Sequence, residues 1–207
     1  MTVTSARPDL EAPLYDDPVP WFDAWLGDAK RADIREHNAC CLSTVDANGQ
    51  PSGRMVLLKE WGEEGFVFYT NLESRKGEEA LHTRKASMTF HWRSLERQIR
   101  IEGPLEQVSD AQADAYFATR ERGSQIGAWA SHQSRPLESR ATLEQRVAAL
   151  EAEYQDKPIP RPSHWTGLRI IPTRIEFWCA GDHRLHDRFE FTRSSKEEPW
   201  KIQRLNP

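Results

Sequence analysis

The chain has 207 residues, of which 38% are hydrophobic and 29% charged, and its net charge is −4 at pH 7. That length can bury a core without metal or disulfide staples, and eight Trp with eight Phe argue against disorder. The acidic balance weighs against a general nucleic-acid binder, and no apolar run approaches the length of a membrane span.

Residues 1–16 read as a flexible arm. The opening MTVTSARPDLEAP holds acids and prolines but no apolar stretch, so a secretory signal is not expected and a cytoplasmic location is. Cys40, Cys41 and Cys179 form no CxxC and read as small buried thiols of a reducing compartment. Asp17-Pro18 opens a helix near 18–34, with Trp21, Phe22, Trp25, Leu26 and Ala29 on its buried stripe. ACCLSTV, the turn DANG and Ser52–Leu58 read as a hairpin. GFVFYTN, ASMTFHW and RQIRIEGPLEQV follow as strands, the last alternating Gln98, Arg100 and Glu102 with Ile99 and Ile101. Ser109 and Gln112 fit a capping box for a helix near 110–122. A further helix near 139–154 carries Leu143, Val147, Leu150 and Tyr154 on one face. The connector KPIPRPSHW cannot be helical, and GLRIIP, RIEFW, RFEFTR and WKIQRL return to strands. Short strands joined by turns, flanked by helices, predict a mainly β (α+β) fold built on an antiparallel barrel or sandwich, with residues 17–207 as one domain.

Common catalytic signatures are missing from the sequence. No GxGxxG follows a strand, and neither a P-loop nor GxSxG occurs. His183 and His186 lack an acidic or Cys partner at a familiar zinc spacing, so no metal is expected. What remains is a set of basic and polar residues at strand ends. Arg54 and Lys59 bracket RMVLLK, and Arg75-Lys76 follow FVFYTN; an Arg fork or a Lys charge suits phosphate, although each pair alone reads more readily as solvated surface than as a site. Tyr116, Arg120 and Ser124 are spaced four and four, so a continuous helix puts them on one face. If Gly123 ends the helix early, Ser124 falls at the cap instead. The loop after RIEFW packs Asp182, His183, Arg184, His186, Asp187 and Arg188 together, a density typical either of a functional loop on a rigid sheet or of a charged turn.

Taken in order, RMVLLK (54–59), VFYTNLESRKG (67–77), LERQIRIEG (95–103), YFATRERGSQIGAW (116–129), SHQSRPLESR (131–140), IEFWCAGDHRLHDR (175–188) and WKIQRLNP (200–207) resemble the pyridoxine/pyridoxamine 5'-phosphate oxidase family. The likeness runs from about Pro18 to the C-terminus. It implies an FMN-binding split β-barrel, antiparallel and Greek-key-like, that forms a homodimer with FMN between the subunits. By resemblance, Arg54, Met55, Val56, Leu57, Leu58, Lys59, Tyr69, Thr70, Arg75 and Lys76 would contact the flavin. Gln98, Gln133, Ser134, Trp178 and Arg188 would complete that site, some from the partner subunit. Lys59, Tyr116, Arg120 and Ser124 would bind the substrate's phosphate, with Arg184, Leu185 and His186 at its ring and Arg184 and His186 as the catalytic pair. The implied reaction oxidises pyridoxamine or pyridoxine 5'-phosphate to pyridoxal 5'-phosphate with O2 as acceptor. Alternatives are a split-barrel flavin oxidase acting on a phenazine precursor, a non-catalytic FMN- or pyridoxal-phosphate-binding protein, and an FMN reductase, for which no nicotinamide site is evident. The family's Arg- and Tyr-containing lid arm has no clear match here; Arg7 and Tyr15 are the only similar groups and are given no lid role.

Overall fold

The structure, a computed structural model, describes residues 12–207; most of the N-terminal arm, Arg7 included, lies outside them. Helix α1 spans Pro18–Arg31. Asp17 caps it by accepting the Val19 N–H at 2.8 Å, and Pro18 occupies the first turn, where its missing donor costs nothing. The five stripe residues named from the sequence are each no more than 4% exposed. Trp21 stacks on Phe177 at 4.2 Å, and Phe22 meets Phe66 and Phe90 edge-on. Each large side chain so buried contributes roughly 1.5–3 kcal/mol, and that packing locks α1 onto the sheet.

Strands β1 (Ala39–Val45) and β2 (Pro51–Leu57) form the expected hairpin. Asp46 closes its turn by accepting the Asn48 and Gln50 N–H groups, and Gly49 supplies the positive φ of 83°. A short strand β3 (Glu60–Gly62), not foreseen, pairs with β4 (Gly65–Asn71). Helix α2 (Arg75–Thr83) follows, then β5 (Lys85–Trp92) and the long β6 (Arg97–Gln107). Ile99 and Ile101 on β6 are fully buried, as the alternation demands. Helices α3 (Asp110–Ala118), α4 (Arg122–Ala130) and α5 (Arg140–Glu153) precede β7 (Trp165–Ile170), β8 (Arg174–Cys179), β9 (Asp187–Thr192) and β10 (Lys201–Arg204).

All pairings are antiparallel. The main path runs β10-β9-β8-β6-β5-β1-β2, and β3, β4 and β7 branch from β6. The branch arises because β6 changes partner: Arg97–Glu102 pair with β8, whereas Leu105–Gln107 pair with β7. Gly103 sits at the switch, where a Cβ would lie 1.9 Å from the Ile171 carbonyl oxygen. Only glycine allows so close an approach. The curled half-barrel that results encloses the main core, and a smaller cluster of Phe117, Ile126, Ile159 and Trp165 ties α3 and α4 to β7. Val147, Leu150 and Tyr154 of α5 pack against that cluster while only partly buried.

The helix expected near 110–122 ends at Ala118, and a separate helix, α4, begins at Arg122. Thr119 caps α3 by donating its hydroxyl to the Tyr116 carbonyl at 2.7 Å, and the Gln125 amide donates to the Phe117 carbonyl at 2.9 Å. The chain therefore breaks at Thr119–Glu121, ahead of Gly123, and Ser124 lies in the first turn of α4. Ser109 does cap α3, but the Gln112 side chain donates to Glu60 at 2.6 Å rather than returning to the cap. Among the described residues no helix is long and apolar enough to cross a membrane.

Candidate active site

Met55, Val56 and Leu57 of β2, with Lys59 just beyond it, line a cavity of about 650 Å³ together with Tyr69, Thr70 and Asn71 of β4. Tyr116 of α3, Arg120 in the helix break and Ser124 of α4 line the same cavity, as do Lys76 of α2, Gln133 and Trp165. The helix break does not separate Tyr116, Arg120 and Ser124; it brings them to one wall in a different way from a continuous helix.

Inside the cavity the rings of Tyr69, Tyr116 and Trp165 lie nearly parallel, with Tyr69 and Tyr116 centroids 3.9 Å apart. The Tyr69 hydroxyl donates to Glu60 at 2.6 Å. Burial, and then that carboxylate, push the phenol pKa well above its ordinary value, so Tyr69 remains a neutral donor. The Lys76 ammonium donates to the Ser74 hydroxyl at 3.1 Å and to the Gln133 carbonyl oxygen. Burial, then the nearby Arg54 charge, pull its pKa down to about 8. Thr70 Oγ1 and Arg120 Nη1 are buried without hydrogen-bond partners among the described residues. Buried donors are seldom left unpaired. Here they share a cavity with Lys59, Lys76 and the N-terminal turn of α2, a natural setting for anionic oxygens.

Other expected residues take different positions. Leu58 is fully buried in the main core, so its side chain belongs to packing; its N–H bonds to the Asn38 carbonyl. Arg54 does not line the cavity; it donates to the Leu42 carbonyl at 3.1 Å, to Thr44 at 2.6 Å, and to Ser52 and Glu79. Arg75 donates to the other oxygen of Glu79 at 2.7 Å. Glu79 is 4% exposed. Burial alone would raise its pKa, but hydrogen bonds from Ser52, Thr44 and Arg75 hold it down to about 2. Ser134 is exposed with φ 69°.

Gln98, Trp178 and Arg188 do not line the cavity. They stand opposite one another in register across β6, β8 and β9, one row on one face of the sheet. The Arg188 fork grips Glu176 at 2.8 and 3.1 Å. The turn Asp182–Arg184 beside this row carries Arg184 and leads into Leu185 and His186, with Leu185 68% exposed. His183 and Arg184 both have positive φ, 53° and 67°, a strain of about 1–3 kcal/mol each that persists where structure over-determines it, often at functional loops. His186 packs against Trp178 at 4.6 Å, and its Nδ1 accepts the Gly181 N–H at 3.1 Å. A neutral ring that accepts at Nδ1 carries its hydrogen on Nε2. One protomer thus holds two separate groups: a polar aromatic cavity and a half-buried row beside a strained, exposed turn.

The sequence reading passed over several residues. Glu79 had a signal, an acid four residues after Arg75 on a helix. Asn71 ended the quoted FYTN motif. Trp165 and Glu60 had none, because only the folded chain brings β3, β4 and β7 beside α3.

Residues 26–154 match the family model described as pyridoxamine 5'-phosphate oxidase, and residues 165–207 match the pyridoxine 5'-phosphate oxidase C-terminal dimerisation region. A Mesorhizobium japonicum protein named pyridoxine/pyridoxamine 5'-phosphate oxidase is 58% identical, covering 92% of this chain and 93% of its own. A Brucella canis protein of the same name is 56% identical, covering 92% and 94%. Among solved structures, PhzG from Burkholderia lata, in complex with tetrahydrophenazine-1-carboxylic acid, is similar over 100% of both chains with TM-score 0.90 and 31% identity. A pyridoxamine 5'-phosphate oxidase-related, FMN-binding protein from Nostoc punctiforme shares the fold over 92% of this chain and 98% of its own, with TM-score 0.74 and 17% identity.

Proposed function

The chain belongs to the pyridoxamine 5'-phosphate oxidase family of FMN-dependent oxidoreductases, and from that premise we propose that it oxidises pyridoxamine and pyridoxine 5'-phosphates to pyridoxal 5'-phosphate. The observation that carries this reading is the cavity in which Lys59, Tyr116, Arg120 and Ser124 meet within reach of Thr70 and Lys76. Two phosphorylated molecules need two sets of donors, and the cavity offers both.

FMN fits the residues present: buried Thr70 Oγ1 lacks a partner among the described residues, and the Lys76 ammonium lines the same cavity. Thr70, Lys76 and Gln133 would hold its phosphate end, backed by Arg54, Arg75 and Ser134. Met55, Val56 and Leu57 would support its ring along a rigid strand. When bound, FMN supplies the two-electron acceptor that O2 regenerates, giving H2O2. The overall balance for the amine is substrate, O2 and water to aldehyde, ammonia and H2O2; for the alcohol it is substrate and O2 to aldehyde and H2O2.

The chain's own work is binding and orientation. Lys59, Arg120, Tyr116 and Ser124 clamp the substrate phosphate, and that remote binding energy fixes the reacting carbon. Gln98, Trp178 and Arg188, with Arg184, Leu185 and His186, complete the site from a second copy of the chain, since in one protomer they stand apart from the cavity. Arg184 stabilises charge that develops on the pyridine ring. His186 donates a hydrogen bond through Nε2; its Nδ1 lone pair is engaged by Gly181, so it is not the base.

A second reading, oxidation of a carboxylated phenazine precursor, draws on the likeness to PhzG. The relatives at 56–58% identity weigh toward the phosphorylated vitamers. The test is direct. The purified protein should be yellow, or become so with FMN, and release peroxide on addition of pyridoxamine 5'-phosphate. A colourless protein that FMN does not restore, or a yellow one that makes no peroxide with either vitamer, refutes the proposal.

A further inference from the structure

Arginines near the cavity are anchored in two ways. Arg54 and Arg75 share the Glu79 carboxylate, which spends much of their charge inside the protein. Arg120 is anchored differently. Its guanidinium carbon lies 4.6 Å from the centre of the Trp165 ring and 5.6 Å from that of Phe117, and its buried Nη1 has no hydrogen-bond partner among the described residues. An aromatic face orients a guanidinium without neutralising it. The full positive charge stays available to an anion in the cavity.

Trp165 is itself held tightly. It is 7% exposed, stacks with Tyr69 at 5.2 Å and 11°, and lies parallel to Tyr116 at 6.2 Å and 1°. Phe117 meets it edge-on at 5.1 Å, and Arg161 fixes its backbone by donating to the Trp165 carbonyl at 2.8 Å. We propose that Trp165 is the positioning residue of the substrate-phosphate clamp: it aims the uncompensated charge of Arg120 and thereby sets the preference for a phosphorylated substrate over its unphosphorylated alcohol or amine. This inference rests on the reading of Arg120 as a phosphate ligand. Trp165 touches neither the reacting carbon nor the chemistry; it acts through Arg120.

The holoenzyme is assayed with pyridoxine 5'-phosphate as wild type, Trp165→Leu, Trp165→Phe and Arg120→Ala, and FMN affinity is measured for each by flavin fluorescence. Trp165→Leu is expected to raise KM about tenfold, the loss of one desolvated cation–π contact, with kcat and FMN affinity within about twofold. Trp165→Phe keeps a smaller π face and is expected to recover most of that loss, leaving KM raised about two- to fourfold. Should the Leu protein not fold, the Phe variant decides by whether its KM rises with kcat held. An unchanged KM overturns the proposal, as does a rise in KM that comes with a joint fall in kcat and FMN affinity, which is the mark of a packing role. Arg120→Ala separates the two layers. If it leaves KM unchanged, the phosphate clamp itself is misread; if it raises KM while the Trp165 variants do not, only the role of Trp165 falls.

Discussion

In the proposed FMN site a single ammonium group links binding to pH. Burial and the Arg54 charge bring the pKa of Lys76 to about 8, and a phosphate dianion beside it favours the charged form. The sign follows: below about 8 Lys76 is protonated before FMN arrives, whereas above it binding must also draw a proton from solvent. Affinity for FMN should therefore fall as pH rises through 8, by at most tenfold per unit. Riboflavin, which lacks the phosphate, should bind with no such slope, and Lys76→Arg should flatten the slope for FMN. Titrations at pH 7 and pH 9 decide it; parallel slopes for the two flavins would show that Lys76 does not face the phosphate. Lys76 was legible from sequence as a basic residue after a strand. Its altered acidity was not, because it depends on Arg54 arriving from β2 and on burial beside Ser74 and Gln133.

Helix α2 presents Lys76, and its position depends on Gly77. A Cβ there would lie 2.4 Å from the Leu72 carbonyl oxygen and 2.6 Å from that of Asn71. Both are backbone atoms and cannot swing aside. Gly77→Ala should thus cost about 1–3 kcal/mol by overpacking and weaken FMN binding, because the helix must shift. Gly123→Ala in α4 meets nothing within 4 Å and should be neutral or stabilising by up to about 1 kcal/mol. Denaturant unfolding of both variants is the check, and equal stabilities would contradict the argument. The contrast with α1 explains what the sequence could disclose. Helix α1 buries aromatic residues at a 3.6 period, a pattern visible to any reader. Helix α2 buries Gly77, Glu79 and Ala80, a face with no apolar signature, so hydrophobic periodicity does not mark RKGEEALHT as a helix. The break between α3 and α4 escaped notice for a similar reason: it is made by Thr119 and Gln125 side chains bonding to backbone carbonyls, which periodicity does not encode.

At the scale of the whole molecule, the strands other than β3 and their order of appearance were legible, and so was membership of each predicted site residue in a motif. Which motifs meet was not. Residues from 55–59, 69–76 and 116–133 line one cavity, while Gln98, Trp178 and Arg188 stand together elsewhere on the sheet, beside the turn that carries Arg184 and leads to His186. If two copies assemble so that the second group of one completes the cavity of the other, defects in the two groups complement each other. Arg120→Ala disables the cavity side and Arg184→Ala the sheet side, so each homodimer is impaired at both sites. A mixed dimer carries both defects in one site and none in the other. Equal subunits, unfolded and refolded together, give half mixed dimers with one intact site of two, so activity should return to about a quarter of wild type. If both groups served the same cavity within one chain, every site in the mixture would still carry one defect, and mixing would restore nothing. Peroxide release before and after co-refolding therefore reads out whether the site is built from one chain or two.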